Sequence, residues 1–208
     1  MFTERVARHD LDRYRRRGLD GLEQRMVASV DADDLVGARV LEIGGGIGKF
    51  QVELLEHGAA TGEVVEVVPA YETYAEELAR ERGLEGRTSF VVADVLEAPG
   101  AVAAGEVVVL NRVVCCLPDG IELAAAAARL ARRTLVLSYP RNVVWIRLGV
   151  RAFNLAQRLL GRSFRVFVHS PAALRAAAEA EGLVRSESGR GSIWEFTTLA
   201  RRAEHVGL

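Results

Sequence analysis

The chain has 208 residues, half of them hydrophobic and 26% charged, which suits one globular domain with a sizeable core. A formal net charge of −1 supplies no global field for nucleic acid or an anionic membrane, so neither is expected as a partner. Cys115 and Cys116 are adjacent and make no disulfide framework, which points to a reducing, cytoplasmic setting. The opening stretch has no apolar core, so no secretory leader is expected, and no run approaches the roughly 20 apolar residues of a membrane span.

Residues 1–36 read as helical and predict a cap ahead of a main domain over 37–208. Residues 40–43 form a short apolar run that ends at glycines, the mark of a buried strand. A helix follows over 50–57, with Phe50, Leu54 and Leu55 on one side. The β-branched run 64–68 predicts a second strand, and 71–82 a helix closed by Gly83. Strands are predicted at 89–93 and 106–110, an alanine-rich helix at 121–132 and a fifth strand at 134–138. Residues 142–161 read as an amphipathic helix packed on the domain, with a membrane-surface helix or a cover over an apolar substrate as the alternatives. Pro171 opens a helix to about residue 181, stopped by Gly182. Residues 183–187 and 192–199 predict an antiparallel hairpin around Gly189 and Gly191. The alternation implies an α/β, Rossmann-like three-layer sandwich. Its sheet is mostly parallel and seven-stranded, with an antiparallel C-terminal hairpin and a helical N-terminal cap.

The segment Glu42-Ile43-Gly44-Gly45-Gly46-Ile47-Gly48 joins a strand to a helix start. Glycines let the backbone turn tightly and approach a ligand closely, and an open α/β sheet binds its ligand at such a corner. A phosphate-cradling P-loop is excluded, because Gly48-Lys49 is followed by Phe50 and position 43 is Ile. A dinucleotide fingerprint starting at Gly44 fails at its last glycine, where Lys49 stands. What remains is E-x-G-x-G-x-G. Glu66, in an apolar strand roughly 20 residues on, is suited to accept hydrogen bonds from ribose hydroxyls.

This pattern resembles the first motif of class I S-adenosylmethionine (SAM)-dependent methyltransferases, and over residues 38–140 the order of motifs resembles the small bacterial type. The resemblance implies SAM as cofactor. It implies that Gly44, Gly45, Gly46 and Gly48 face its amino-acid tail, with Glu42 orienting the amino end. It implies that Glu66, followed by Val67, takes the ribose, and that Asp94 and Val95 take the adenine. It implies that Asn111, at the end of the fourth strand, falls beneath the methyl group. The sequence continues Arg112-Val113-Val114, unlike the Asn-Pro-Pro-aromatic signature of many N-methyltransferases, so oxygen or carbon is the expected acceptor atom. The tail more loosely resembles magnesium-protoporphyrin O-methyltransferases. Cys115 and Cys116 stand where that family has a histidine, so a porphyrin substrate is not implied.

Methyl transfer from SAM needs alignment more than a fixed set of catalytic groups. Candidate acceptor-side residues are His169 as general base, Tyr14 closing from the cap, and Tyr139 at the fifth strand end. The acceptor is expected to be a small, apolar molecule. His57 is read as a helix C-cap, and His9 and His205 as solvated. The histidines and cysteines show no zinc spacing, so no metal is expected. Cys115 and Cys116 are read as small buried hydrophobes, and Arg13, Arg15, Arg16 and Arg17 as a solvated helix face.

Overall fold

The computed structural model describes residues 3–201, so His205 lies outside the described residues. Seven strands form one sheet in the order β3-β2-β1-β4-β5-β7-β6. They are β1 (Arg39–Ile43), β2 (Thr61–Glu66), β3 (Thr88–Val92), β4 (Gly105–Leu110), β5 (Ala131–Pro140), β6 (Leu183–Arg190) and β7 (Trp194–Arg201). The first five run parallel, and β7 pairs antiparallel with both β5 and β6. The expected mostly parallel sheet and antiparallel hairpin are both present.

The central strands are apolar throughout because both faces are covered. Val40, Leu41, Val107, Val108 and Leu135 are all fully buried. On one face α4 (Lys49–Glu56) and α5 (Glu72–Glu81) pack with the N-terminal helices α1 (Glu4–Arg17), α2 (Gly21–Ala28) and α3 (Ala32–Leu35). On the other face lie α6 (Gly120–Leu130) and α8 (Pro171–Glu179). The long helix α7 (Val144–Leu159) joins β5 to the stretch before α8.

Several boundaries differ from the sequence reading for local reasons. The second strand begins at Thr61 and stops at Glu66, so Val67 and Val68 turn away from the sheet. The alanine-rich helix ends at Leu130, and Ala131 already pairs with Gly105 in the sheet. The apolar run 166–169 ahead of α8 has no regular structure and is tied by the Phe167 N–H to the Cys115 carbonyl at 2.8 Å.

Strand order reverses between β1 and β4: β2 and β4 hydrogen-bond along opposite edges of β1. Ligands of open α/β sheets bind in the crevice at such a reversal. Here the glycine loop after β1 and the Asn111-Arg112 corner after β4 form its two walls.

Candidate active site

Gly44, Gly46 and Gly48 all have left-handed backbones, with φ of 64°, 56° and 73°. A side chain at Gly44 would put its Cβ 2.7 Å from Val113, and one at Gly46 would sit 3.2 Å from the Tyr71 ring. Both the torsions and the close packing demand glycine. Helix α4 therefore starts with no side-chain cap of its own. The buried Glu42 carboxylate does that work from β1, accepting the Gln51 N–H at 3.0 Å. Burial drives the Glu42 carboxyl up to about 8, against the pull of backbone N–H groups and Lys49.

Glu66 closes β2 beside this loop. One carboxylate oxygen accepts the Val67 and Val68 N–H groups at 2.9 and 3.1 Å, and the other accepts the Gly46 N–H at 3.2 Å. Burial raises its carboxyl above the usual range, and those three donors partly offset the rise. The carboxylate is thus fixed in orientation while it faces a cavity. Asp94 follows β3, exposed, with its side chain accepting the Leu96 N–H at 2.8 Å. Val95 beside it is buried, and Val67 is exposed.

These groups surround one cavity of about 870 Å³, lined by Glu42, Gly44, Gly45, Gly46, Glu66, Val67, Asp94, Val95 and Asn111. Residues far apart in sequence are brought together in one cavity. Gly48 is the exception: it turns the chain into α4 and is not part of the wall. Such a volume accommodates a nucleoside-sized ligand together with a small second molecule.

The opposite wall comes from the N-terminal helices. Asp20 and Glu23 form a capping box on α2, each side chain accepting from the other's backbone region. Glu23 then reaches across the cavity to pair with Lys49 of α4 and accept the Asn111 amide at 2.9 Å. Burial opposes its ionisation, but Lys49 and Arg112 outweigh this and hold the carboxyl below the usual range. The amide oxygen of Asn111 accepts the Ser138 hydroxyl at 2.8 Å. Arg112 has φ of 60°, a left-handed conformation that other non-glycine described residues do not adopt. Its guanidinium pairs with Asp20, lies 5.1 Å from the Trp194 ring and leaves its buried Nε without a hydrogen bond.

The acceptor-side candidates fare unequally. Tyr14 lines the cavity and donates to Glu53 at 2.6 Å. Burial and that carboxylate raise its hydroxyl, and the bond to Glu53 holds the ring in the cavity wall. His169 must be corrected as a general base. Its Nε2 lies 2.9 Å from the Val114 carbonyl and 3.1 Å from that of Leu117, so the ring is a donor to two backbone acceptors. It packs on Gly120, where any side chain would strike it, and does not line the cavity. Tyr139 must be corrected too. It is buried in the sheet with its hydroxyl 2.7 Å from that of Thr197, away from the cavity.

Among the lesser readings, His57 does cap its helix, His9 is exposed and Cys115 is buried. Cys116 instead reaches the cavity, its thiol lowered by a hydrogen bond from Cys115. Arg13 and Arg17 also line it, and Arg15 pairs with Glu77 and Glu81. Glu23, Lys49, Tyr71, Arg112 and Phe164 are cavity residues that sequence reasoning missed. A D-x-x-E capping signature at Asp20–Glu23 was a legible cue for one of them.

This arrangement of strands, glycine corner and cap is the class I methyltransferase fold. The magnesium protoporphyrin IX methyltransferase of Synechocystis PCC 6803, crystallised with S-adenosylhomocysteine, is 21% identical. The match covers 93% of this chain and 94% of that one, with a TM-score of 0.69. An O-methyltransferase family protein of Burkholderia thailandensis is 19% identical with a TM-score of 0.73, over 97% of this chain and 61% of that one. An O-methyltransferase family 2 protein of Planctomyces limnophilus, in complex with apigenin, is 18% identical over 97% and 62%, with a TM-score of 0.72. No family model and no curated protein matches the chain at the level of sequence.

Proposed function

We propose that the protein binds SAM in this cavity and transfers its methyl group to a small-molecule acceptor, at oxygen or carbon. The observation that carries the reading is the convergence of the glycine corner, Glu66 and Asp94, from three successive strand ends, on one cavity. Solved structures of the same fold hold S-adenosylhomocysteine or SAM.

The residues present fit that cofactor. The loop is open because side chains are excluded at Gly44 and Gly46, which leaves backbone for the amino-acid tail to approach. Glu66 is held by three N–H donors, and the oxygen that accepts only from Gly46 keeps acceptor capacity for a ribose hydroxyl. Asp94, with Val95 beneath, suits an adenine amino group against an apolar floor. Bound SAM supplies an activated methyl carbon whose bond to sulfur breaks as the bond to the acceptor forms, leaving a thioether.

The chain's own contribution is alignment and exclusion of water. Tyr14 and Glu23 from the N-terminal helices, Leu19 between them and Phe164 after α7 line the cavity. We take residues 1–36 as the cap of a catalytic domain on this ground. Asn111 is followed by Arg112-Val113-Val114 and not by the Pro-Pro-aromatic run of many N-methyltransferases, and its amide is tied to Glu23 and Ser138, which favours oxygen or carbon. The acceptor space beside Leu19, Leu117 and Phe164 is apolar. A second reading, a SAM-binding protein without methyl transfer, is favoured by one observation: His169 is engaged elsewhere.

The test is to follow S-adenosylhomocysteine production from SAM with a panel of apolar phenols, carboxylic acids and activated carbon acids. Turnover with oxygen or carbon acceptors is expected. Tight SAM binding with no turnover on any of them would favour the second reading.

A further inference from the structure

Helix α7 packs on the domain through very little of its surface. Only Ile146 and Gln157 are buried in it. Trp145, Leu148, Leu155 and Leu159 are 56%, 56%, 57% and 79% exposed. Their spacing of three, seven and four residues places them on one face. Val144 and Leu160 extend the apolar surface at either end. Arg147, Arg151 and Arg158 are exposed along one border of that face. The sequence expectation of an amphipathic helix packed against its own domain is therefore not met, since the apolar side points outward.

The charge around it is one-sided. Residues 141–178 contain seven arginines and no carboxylate, which the overall charge of −1 conceals. A second cavity, of about 340 Å³, adjoins the start of the helix and shares Val143, its N-cap residue. Arg141, Arg175, Arg185 and Arg190 line it, with one carboxylate, Glu195, 3.4 Å from Arg190.

We propose that α7 docks the protein on the surface of an anionic lipid bilayer. The apolar face enters the boundary between headgroups and acyl chains while the arginine stems reach back to lipid phosphates. The arginine-lined cavity at the head of the helix takes a phosphate headgroup. No helix among the described residues is long and apolar enough to cross the membrane, so the contact is one of lying on the surface. A second copy of this chain fits less well. A two-fold contact would bring this face against itself and bury arginines with no carboxylate on either helix to meet them.

The test is sedimentation of the full chain with phosphatidylcholine vesicles and with vesicles that also contain phosphatidylglycerol. Binding to the mixed vesicles alone is expected, weakening as salt is raised. Combined Trp145→Ser, Leu148→Ser and Leu155→Ser should reduce it by about tenfold or more, with the thermal midpoint unchanged because these side chains are exposed. Quenching of Trp145 fluorescence by brominated lipid, lost in Trp145→Phe, should report insertion of the face. Absence of binding to the mixed vesicles, or equal binding to neutral ones, would overturn the proposal. So would a concentration-dependent dimer that the same triple variant dissolves, since a second copy would then cover the face. None of these readouts depends on SAM or on methyl transfer.

Discussion

The two walls of the cavity are built by different means. The wall formed by the glycine loop, Glu66 and Asp94 is local: each element lies at a strand end, and its polar groups are satisfied by backbone N–H groups within a few residues or on the adjoining loop and helix. The wall formed by Glu23, Lys49, Asn111 and Arg112 is assembled across the chain from side chains, with one carboxylate at its centre. Backbone-built sites are rigid and readable. Side-chain-built ones concentrate their stability in a few charges that are costly to leave alone.

Removing the central charge should break the second wall most severely. In Glu23→Ala, Lys49 and Arg112 lose a partner whose side chain is only 4% exposed. The expected loss is about 3 kcal/mol in urea unfolding, the scale for breaking a buried pair. Gly44→Ala attacks the first wall and should cost about 2 kcal/mol through left-handed strain and the Val113 contact. Adding Val113→Ala should restore only part, because the strain stays.

A third prediction separates the walls by pH. The Glu42 carboxyl is raised in the folded state to about 8 by burial. Its contribution is therefore complete below the ordinary carboxylate range of about 4 and is lost as pH rises through about 8. Wild type should lose stability relative to Glu42→Gln over that window, measured as the difference in unfolding free energy. A flat difference would show that the carboxyl ionises normally. The smallest effect is expected at His169. His169→Ala should cost about 1 kcal/mol in stability, from loss of its bonds to backbone carbonyls, and leave the methylation rate near wild type. A general base would lose about a hundredfold or more.

The same division explains what could be read beforehand. The alternation of strands and helices follows from apolar runs and helix stops, and the glycine corner from residues adjacent in sequence. Glu66 stood out as a carboxylate in an apolar strand, and it does end β2. By contrast, nothing in residues 166–169 distinguishes a strand from an irregular crossing, because short apolar runs carry no period. His169 looked available since a sequence cannot show the two carbonyls that hold it. Tyr139 looked like a wall residue, but its alternation in β5 sends the ring under β7 toward Thr197. The Glu23 cluster joins residues up to 88 positions apart, and no local pattern encodes such a contact.

The most direct test of the central claim is calorimetric titration of the protein with SAM and with S-adenosylhomocysteine, beside Glu66→Ala. The account predicts micromolar binding of both ligands, weakened about tenfold to a hundredfold in the variant, as for loss of hydrogen bonds to a charged group. Failure of either ligand to bind folded protein, or equal binding to Glu66→Ala, would contradict it.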